Sequence, residues 1–154
     1  MYTRILVPLD GSETAQQGLR HAIGLAASQP PAQRARLLLL SVIDDFASLM
    51  ELSATQSYQA MREDLLRQAD GVLSRAHAAA AEAGVESDTA LREVTNQRVA
   101  DVILDEARRD GCDLIVIGTH GRRALSRVVL GSVADGVLRS SPVLVLLIRH
   151  PESR

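Results

Sequence analysis

Three glycines and a serine open the question of what this chain holds. In "GTHGRRALSRVVLGS", Gly118 and Gly121 are three apart, and Gly131 follows with Ser132 behind it. The stretch begins where a short apolar run, Leu114 to Ile117, ends. Glycines at such a junction remove the side chains that would keep a ligand off the main chain. A Gly-Ser pair opening a helix adds free N–H groups and the positive end of a helix dipole. With Arg122, Arg123 and Arg127 between them, these residues make an anion site of the kind that suits phosphate. The competing reading is structural, because glycine commonly ends strands and starts helices.

Other chemistries are excluded by what the chain lacks. All 17 basic residues are arginine and none is lysine. That removes a Walker A loop and a Schiff-base cofactor, both of which need a lysine. His21, His77 and His150 form no metal-ligand spacing, and His120 is expected to face solvent rather than act in catalysis. A single cysteine, Cys112, excludes an internal disulfide framework and is expected to be an inert packing residue in a reducing compartment. With a net charge of -2, nothing global points to nucleic acid or an anionic membrane as partner. No apolar run reaches membrane length, and the chain enters "TRILVPLD" without a signal-peptide core. The expectation is one soluble, cytoplasmic domain over residues 1–154.

The elements that must position the glycines follow from apolar patterning. Ile5 to Val7, Leu37 to Val42 and Leu114 to Ile117 are continuous apolar runs, as strands buried on both faces of a parallel sheet would be, and Val143 to Ile148, also apolar without alternation, is a further strand. "VESDTALREV", Val85 to Val94, alternates and is expected nearer an edge. Between them lie helical stripes from Ser12 to Ser28, from about Tyr58 to Ala83 (closed by Gly84), and after Asn96, which is expected to cap a helix closed by Gly111. A last helix is expected from Ser132 to Arg139, and residues 46–60 form an excursion of unassigned role. Strand and helix therefore alternate throughout, which predicts a doubly wound α/β fold with helices on both faces of a parallel sheet. In such sheets ligands bind beyond the carboxyl ends of the strands, where the strand order reverses. The loops after strands one, two and four are then the candidates: Pro8 to Ser12, Val42 to Asp45, and Gly118 onward.

Taken together, Gly-x2-Gly-x9-Gly-Ser after a fourth buried strand, "VPLDGSETA" near the start and "PVLVLLIR" near the end resemble the universal stress protein family, over the whole chain and in its nucleotide-binding branch. The resemblance implies a Rossmann-like domain with five parallel strands in the order 3-2-1-4-5, dimeric, and binding ATP, with Mg2+ as a possible companion. It implies that Gly118, Gly121, Gly131 and Ser132 hold ribose and phosphates, that Asp10 sits beside the nucleotide, and that the main chain of Val42 faces adenine. Pro8, Leu9, Thr119, His120, Arg122 and Val133 complete the implied site. Two alternatives stand beside these roles. Asp10 fits a turn brace or helix cap, and Ser132 with Asp135 fits a capping box that would use the hydroxyl internally.

The implied function is a regulatory module whose nucleotide changes its partner or oligomer, against a nucleotide-free interaction module or a slow ATPase. No residue stands out as a dedicated general base, and no His-x-Gly-His motif for adenylyl transfer occurs. The last strand carries an oligomer expectation. In the implied order it lies at the sheet edge, where an apolar strand invites pairing with another chain. A homodimer through Val143, Val145 and Leu147 resolves that edge.

Overall fold

The computed structural model describes residues 1–44, 57–120 and 130–149. Its five strands are β1 (Arg4–Pro8), β2 (Arg36–Asp44), β3 (Ser87–Val94), β4 (Leu114–Gly118) and β5 (Leu144–Ile148). Its helices are α1 (Glu13–Ala27), α2 (Tyr58–Glu82), α3 (Val99–Arg109) and α4 (Ser132–Ser140), with a 3-10 turn over Pro31–Gln33. All strand pairs are parallel and the sheet order is β3-β2-β1-β4-β5. The expected α/β doubly wound sheet is the observed one.

Why the apolar runs do not alternate is visible in the core. Ile5, Val7, Leu37, Leu39, Leu114 and Val116 point to one face, where α1 and α2 cover them. Leu6, Leu38, Leu40, Ile115 and Ile117 point to the other, under α3 and α4. These apolar positions of β1, β2 and β4 thus lose their contact with water whichever way they point, whereas β5, at one edge, has Leu144 exposed and Ile148 buried. β3 is at the sheet edge, as its alternation predicts, with Thr89 and Glu93 exposed.

The helix ends show where local chemistry decides. Ser12 caps α1, its hydroxyl accepting from the N–H of Ala15 at 3.2 Å. α2 ends in a reversal with Gly84 at φ +70° and the N–H of Val85 donating to the carbonyl of Ala80, so glycine is required there. Two expectations fail. Asn96 does not cap α3: it occupies a left-handed conformation (φ +59°), a role its short polar side chain tolerates, and Arg98 is the cap residue, making no side-chain cap bond. The Ser132–Asp135 capping box does not form either. Gly131 is the cap, Ser132 is already the first helical residue, and Asp135 pairs with Arg139 at 2.9 Å. The last strand also begins at Leu144 rather than Val143.

Opposite the carboxyl ends of the strands, Asp113 accepts from the N–H groups of Thr3 and Arg4, and Arg4 bridges Asp88 and Asp110. Arg4 holds the Asp88 carboxyl below the usual carboxylate range through its hydrogen bond. Among the described residues no helix is long and apolar enough to cross a membrane.

Cys112 is buried beside α3, and its N–H donates to the carbonyl of Ala107 at the end of that helix. Burial pushes its thiol up to about 11, with the Asp110 carboxylate adding to the shift. A group raised this far stays a neutral thiol at physiological pH and is a poor nucleophile. We expect a thiol reagent at about pH 8, just under the ordinary cysteine range, to label the native protein far more slowly than the denatured chain. Rapid stoichiometric labelling of the native protein would contradict this account of its burial.

Candidate functional site

The carboxyl end of the sheet opens because β1 stops early. Its last bond to β2 runs from the N–H of Leu9 to the carbonyl of Leu40 (2.7 Å). Toward β4 the paired register covers only Ile5–Leu114 and Leu6–Ile115. By the alternation of a parallel ladder, the next β1 donor facing β4 is residue 8, a proline, which has none. β2 and β4 run on past this point, leaving a gap between them.

That gap is a cleft of about 820 Å³. Pro8, Leu9 and Asp10 enter it from the β1 loop, and Val42 from β2. Gly118, Thr119 and His120 line it from the end of β4, and Gly131, Ser132 and Val133 from the start of α4. The structure therefore brings ten of the expected residues around one opening. The other two, Gly121 and Arg122, lie outside the described residues, as do Arg123 and Arg127.

At Val42 the geometry is set by strand parity. The N–H of Arg36 donates to Thr3 and the carbonyl of Leu40 accepts from Leu9, so even-numbered β2 residues turn their main-chain groups toward β1. Val42 continues this series, but the ladder ends before it. Its N–H and C=O thus point into the cleft without a strand partner, while its half-buried side chain packs against the α3 and α4 face. Buried main-chain groups are almost always paired, so an adjacent donor and acceptor left facing a cleft are suited to a ligand edge that offers both.

Asp10 is exposed, and one of its carboxylate oxygens accepts from the N–H of Ser12 at 2.9 Å. That is the turn-bracing role, and Gly11 beside it takes φ +83°, which only glycine adopts freely. At the other wall, the N–H of Gly131 is committed to the carbonyl of Thr119 at 2.7 Å. This bond ties the two ends of the 120–130 connection together. The free donors at the head of α4 are then those of Ser132, Val133 and Ala134. The Ser132 hydroxyl, no longer in a cap position, is exposed at the same place. His120 is half-buried in the cleft, with Nδ1 3.0 Å from the Thr119 hydroxyl oxygen.

Thr14 is the residue the sequence reading missed. It is buried in the first turn of α1 and its hydroxyl donates to the main-chain carbonyl of His120. It also explains Gly118. A Cβ on Gly118 would stand 2.6 Å from the Thr14 Oγ1 and 2.8 Å from its Cβ. The fold itself, through the close passage of α1 over β4, requires this glycine. α2 was a second omission: Leu65, Ala69 and Val72, read as core positions, also line the cleft.

Comparison with known proteins agrees with this architecture. A model of the universal stress protein family matches residues 1–149, and the chain belongs to that family. A universal stress protein of Methanocaldococcus jannaschii is 30% identical over 152 residues, covering 99% of this chain and 85% of that one. The structure of a family member from Burkholderia pseudomallei, 34% identical, superimposes with a TM-score of 0.76 over 97% of each chain. Two more distant structures share the fold. One, from Archaeoglobus fulgidus, was solved in complex with dAMP (22% identical, TM-score 0.68, 96% of this chain and 98% of that one). The other, from Arabidopsis thaliana, was solved with AMP bound (17% identical, TM-score 0.69, 97% and 93%).

The contact at Gly118 gives a direct test. Gly118→Ala should destabilise the protein by about 1–3 kcal/mol through overpacking against Thr14, read as a lower midpoint in chemical denaturation. In a Thr14→Ala background, which lacks the Oγ1 nearest the added Cβ, the same Gly118→Ala substitution should cost less. An unchanged midpoint in Gly118→Ala would remove the packing explanation.

Proposed function

We propose that this chain binds an adenine nucleotide in the cleft, with ATP as its ligand, and works as a regulatory module whose nucleotide state alters its partner or oligomer. The observation that carries the reading is Val42. One main-chain donor and one main-chain acceptor, side by side, match the acceptor N1 and exocyclic amine of adenine and mismatch the reversed edge of guanine. Asp10 stands at the β1 side for the ribose. The N–H groups and hydroxyl at the head of α4 suit phosphates, since anions are stabilised at a helix N-terminus. Magnesium, if it accompanies the phosphates, would neutralise their charge. The AMP and dAMP complexes of more distant proteins with this fold support the reading by analogy.

The test is the nucleotide released when freshly purified protein is denatured, followed by calorimetry with added ATP. Recovery of adenine nucleotide, or binding of added ATP, supports the proposal. Gly131→Val, which places a branched side chain where phosphate would meet α4, should leave a folded protein with at least tenfold weaker ATP binding, a loss of about 1.4 kcal/mol or more. A protein that is purified empty and binds no ATP is a nucleotide-free interaction module instead.

The proposed oligomer is a homodimer through β5. Among the described residues that strand pairs with β4 only, and Leu144 on it is 64% exposed. The carbonyl of Ile148 accepts from Thr119, so even-numbered β5 residues face β4, while Val145 and Leu147 turn their main-chain groups to the open edge; just before the strand, both main-chain groups of Val143 are engaged with the Ser141 hydroxyl. Those outward donors and acceptors suit antiparallel pairing with a second copy across a two-fold axis. Light scattering should find a dimer at micromolar concentration. Val145→Pro deletes an outward donor while sparing the ladder to β4, so the same measurement should find it monomeric. A wild type that is already monomeric rules out the pairing.

A further inference from the structure

Beside the cleft lies a second hollow of about 380 Å³, which shares with it Asp44, Val99, Ser132 and Val133. Its remaining wall is Asn96, Gln97, Arg98 and Ala100, where the β3 to α3 connection meets the first turn of α3. The feature that distinguishes it is Arg98. Nearby arginines are committed: Arg92 and Arg109 both bond the buried Glu106, and Arg139 holds Asp135. Among the described residues Arg98 has no ion pair and no side-chain hydrogen bond.

Its guanidinium is nevertheless seated. It lies against α4 at Gly136, where an added Cβ would come within 3.0 Å of Arg98 Nη2 and 2.8 Å of the Ala100 Cβ. The missing side chain at Gly136 lets α3 approach α4 and leaves room for the guanidinium beside the hollow. An unpaired guanidinium on a polar hollow, with two planar amide side chains beside it, suits an oxyanion that accepts several N–H bonds at once. Asp44, also in the lining, is a carboxylate that disfavours an anion beside it and so favours occupancy near Arg98.

We propose that this hollow is a subsite for the terminal phosphate of the bound nucleotide, and that Arg98 reads the length of the phosphate chain. The proposal rests on the nucleotide reading above. A chain anchored at Ser132 and Val133 lies at the edge of the hollow, because those two residues belong to the wall that lines both hollow and cleft. AMP, with its single phosphate, ends at that wall. ATP extends past it to Arg98.

Calorimetry with AMP and ATP, on the wild type, Arg98→Gln and Arg98→Lys, tests this. Arg98 is exposed on a loop, so both variants should fold, which circular dichroism checks. The wild type should bind ATP about tenfold or more tighter than AMP. Arg98→Gln should bring that ratio close to one with AMP affinity unchanged, and Arg98→Lys should restore part of it. Titration with inorganic phosphate separates a free anion from a phosphate of the nucleotide. A variant that keeps the wild-type ratio, or that loses only inorganic phosphate binding, overturns the proposal while leaving nucleotide binding intact. A wild type that binds neither AMP nor ATP removes the reading beneath it as well.

Discussion

The hydrogen bond from the Leu9 N–H to the Leu40 carbonyl is the last rung that β1 makes, and the functional end of the molecule depends on it. Had β1 continued, it would have satisfied Val42 and closed the sheet into an unbroken surface. Instead Pro8 withholds a donor on the β4 side, and the chain turns away at Gly11 in a left-handed conformation. Among the described residues β2 goes on to Asp44 with β3 as its only strand neighbour, and β4 goes on to Gly118. The cleft is the volume β1 vacates. Its depth comes from strand lengths, while the loops after β1 and β4 form part of its rim.

A second constraint keeps that volume in shape. α1 crosses β4 so closely that Gly118 has no room for a Cβ, and Thr14 uses the same proximity to hold the carbonyl of His120. Burying a threonine hydroxyl is costly unless it is paired, and here the pairing fixes the chain as it leaves the strand. The glycine and the threonine are thus one device. Either alone would be a defect: a glycine in a strand loses packing, and an unpaired hydroxyl loses its hydration.

Much of this was legible in the sequence, and the exceptions have physical reasons. Unbroken apolar runs such as Leu37 to Val42 announce burial on both faces, and the alternating Val85 to Val94 announces an edge. The Gly-Ser pair marked the start of α4 correctly, but the cap fell on the glycine because Thr119 captures its N–H from a distant part of the chain. Asn96 misled for a related reason. Asparagine favours both the cap and the left-handed turn, and the turn won, leaving the cap to Arg98. Thr14 carried no signal, since a threonine in the first turn of a helix is ordinary until the strand beneath it is known to be 106 residues away. The placement of Arg98 against Gly136 is likewise a tertiary fact. Neither residue belongs to a motif.

Thr119 joins the two ends of the argument. Its carbonyl holds the N–H of Gly131, where phosphate would bind, and its N–H donates to the carbonyl of Ile148, the last residue of β5. It is itself buried and its hydroxyl is engaged with His120. On the reading proposed above, a displacement of the α4 head by a ligand would reach β5 through this one residue. Close-packed interiors absorb displacement poorly, because neighbouring side chains leave few voids to move into. On the function proposed above, nucleotide and oligomer need no long pathway between them: a single residue, bonded through its carbonyl to the phosphate end of the cleft and through its N–H to the proposed dimer strand, is the element both would bias.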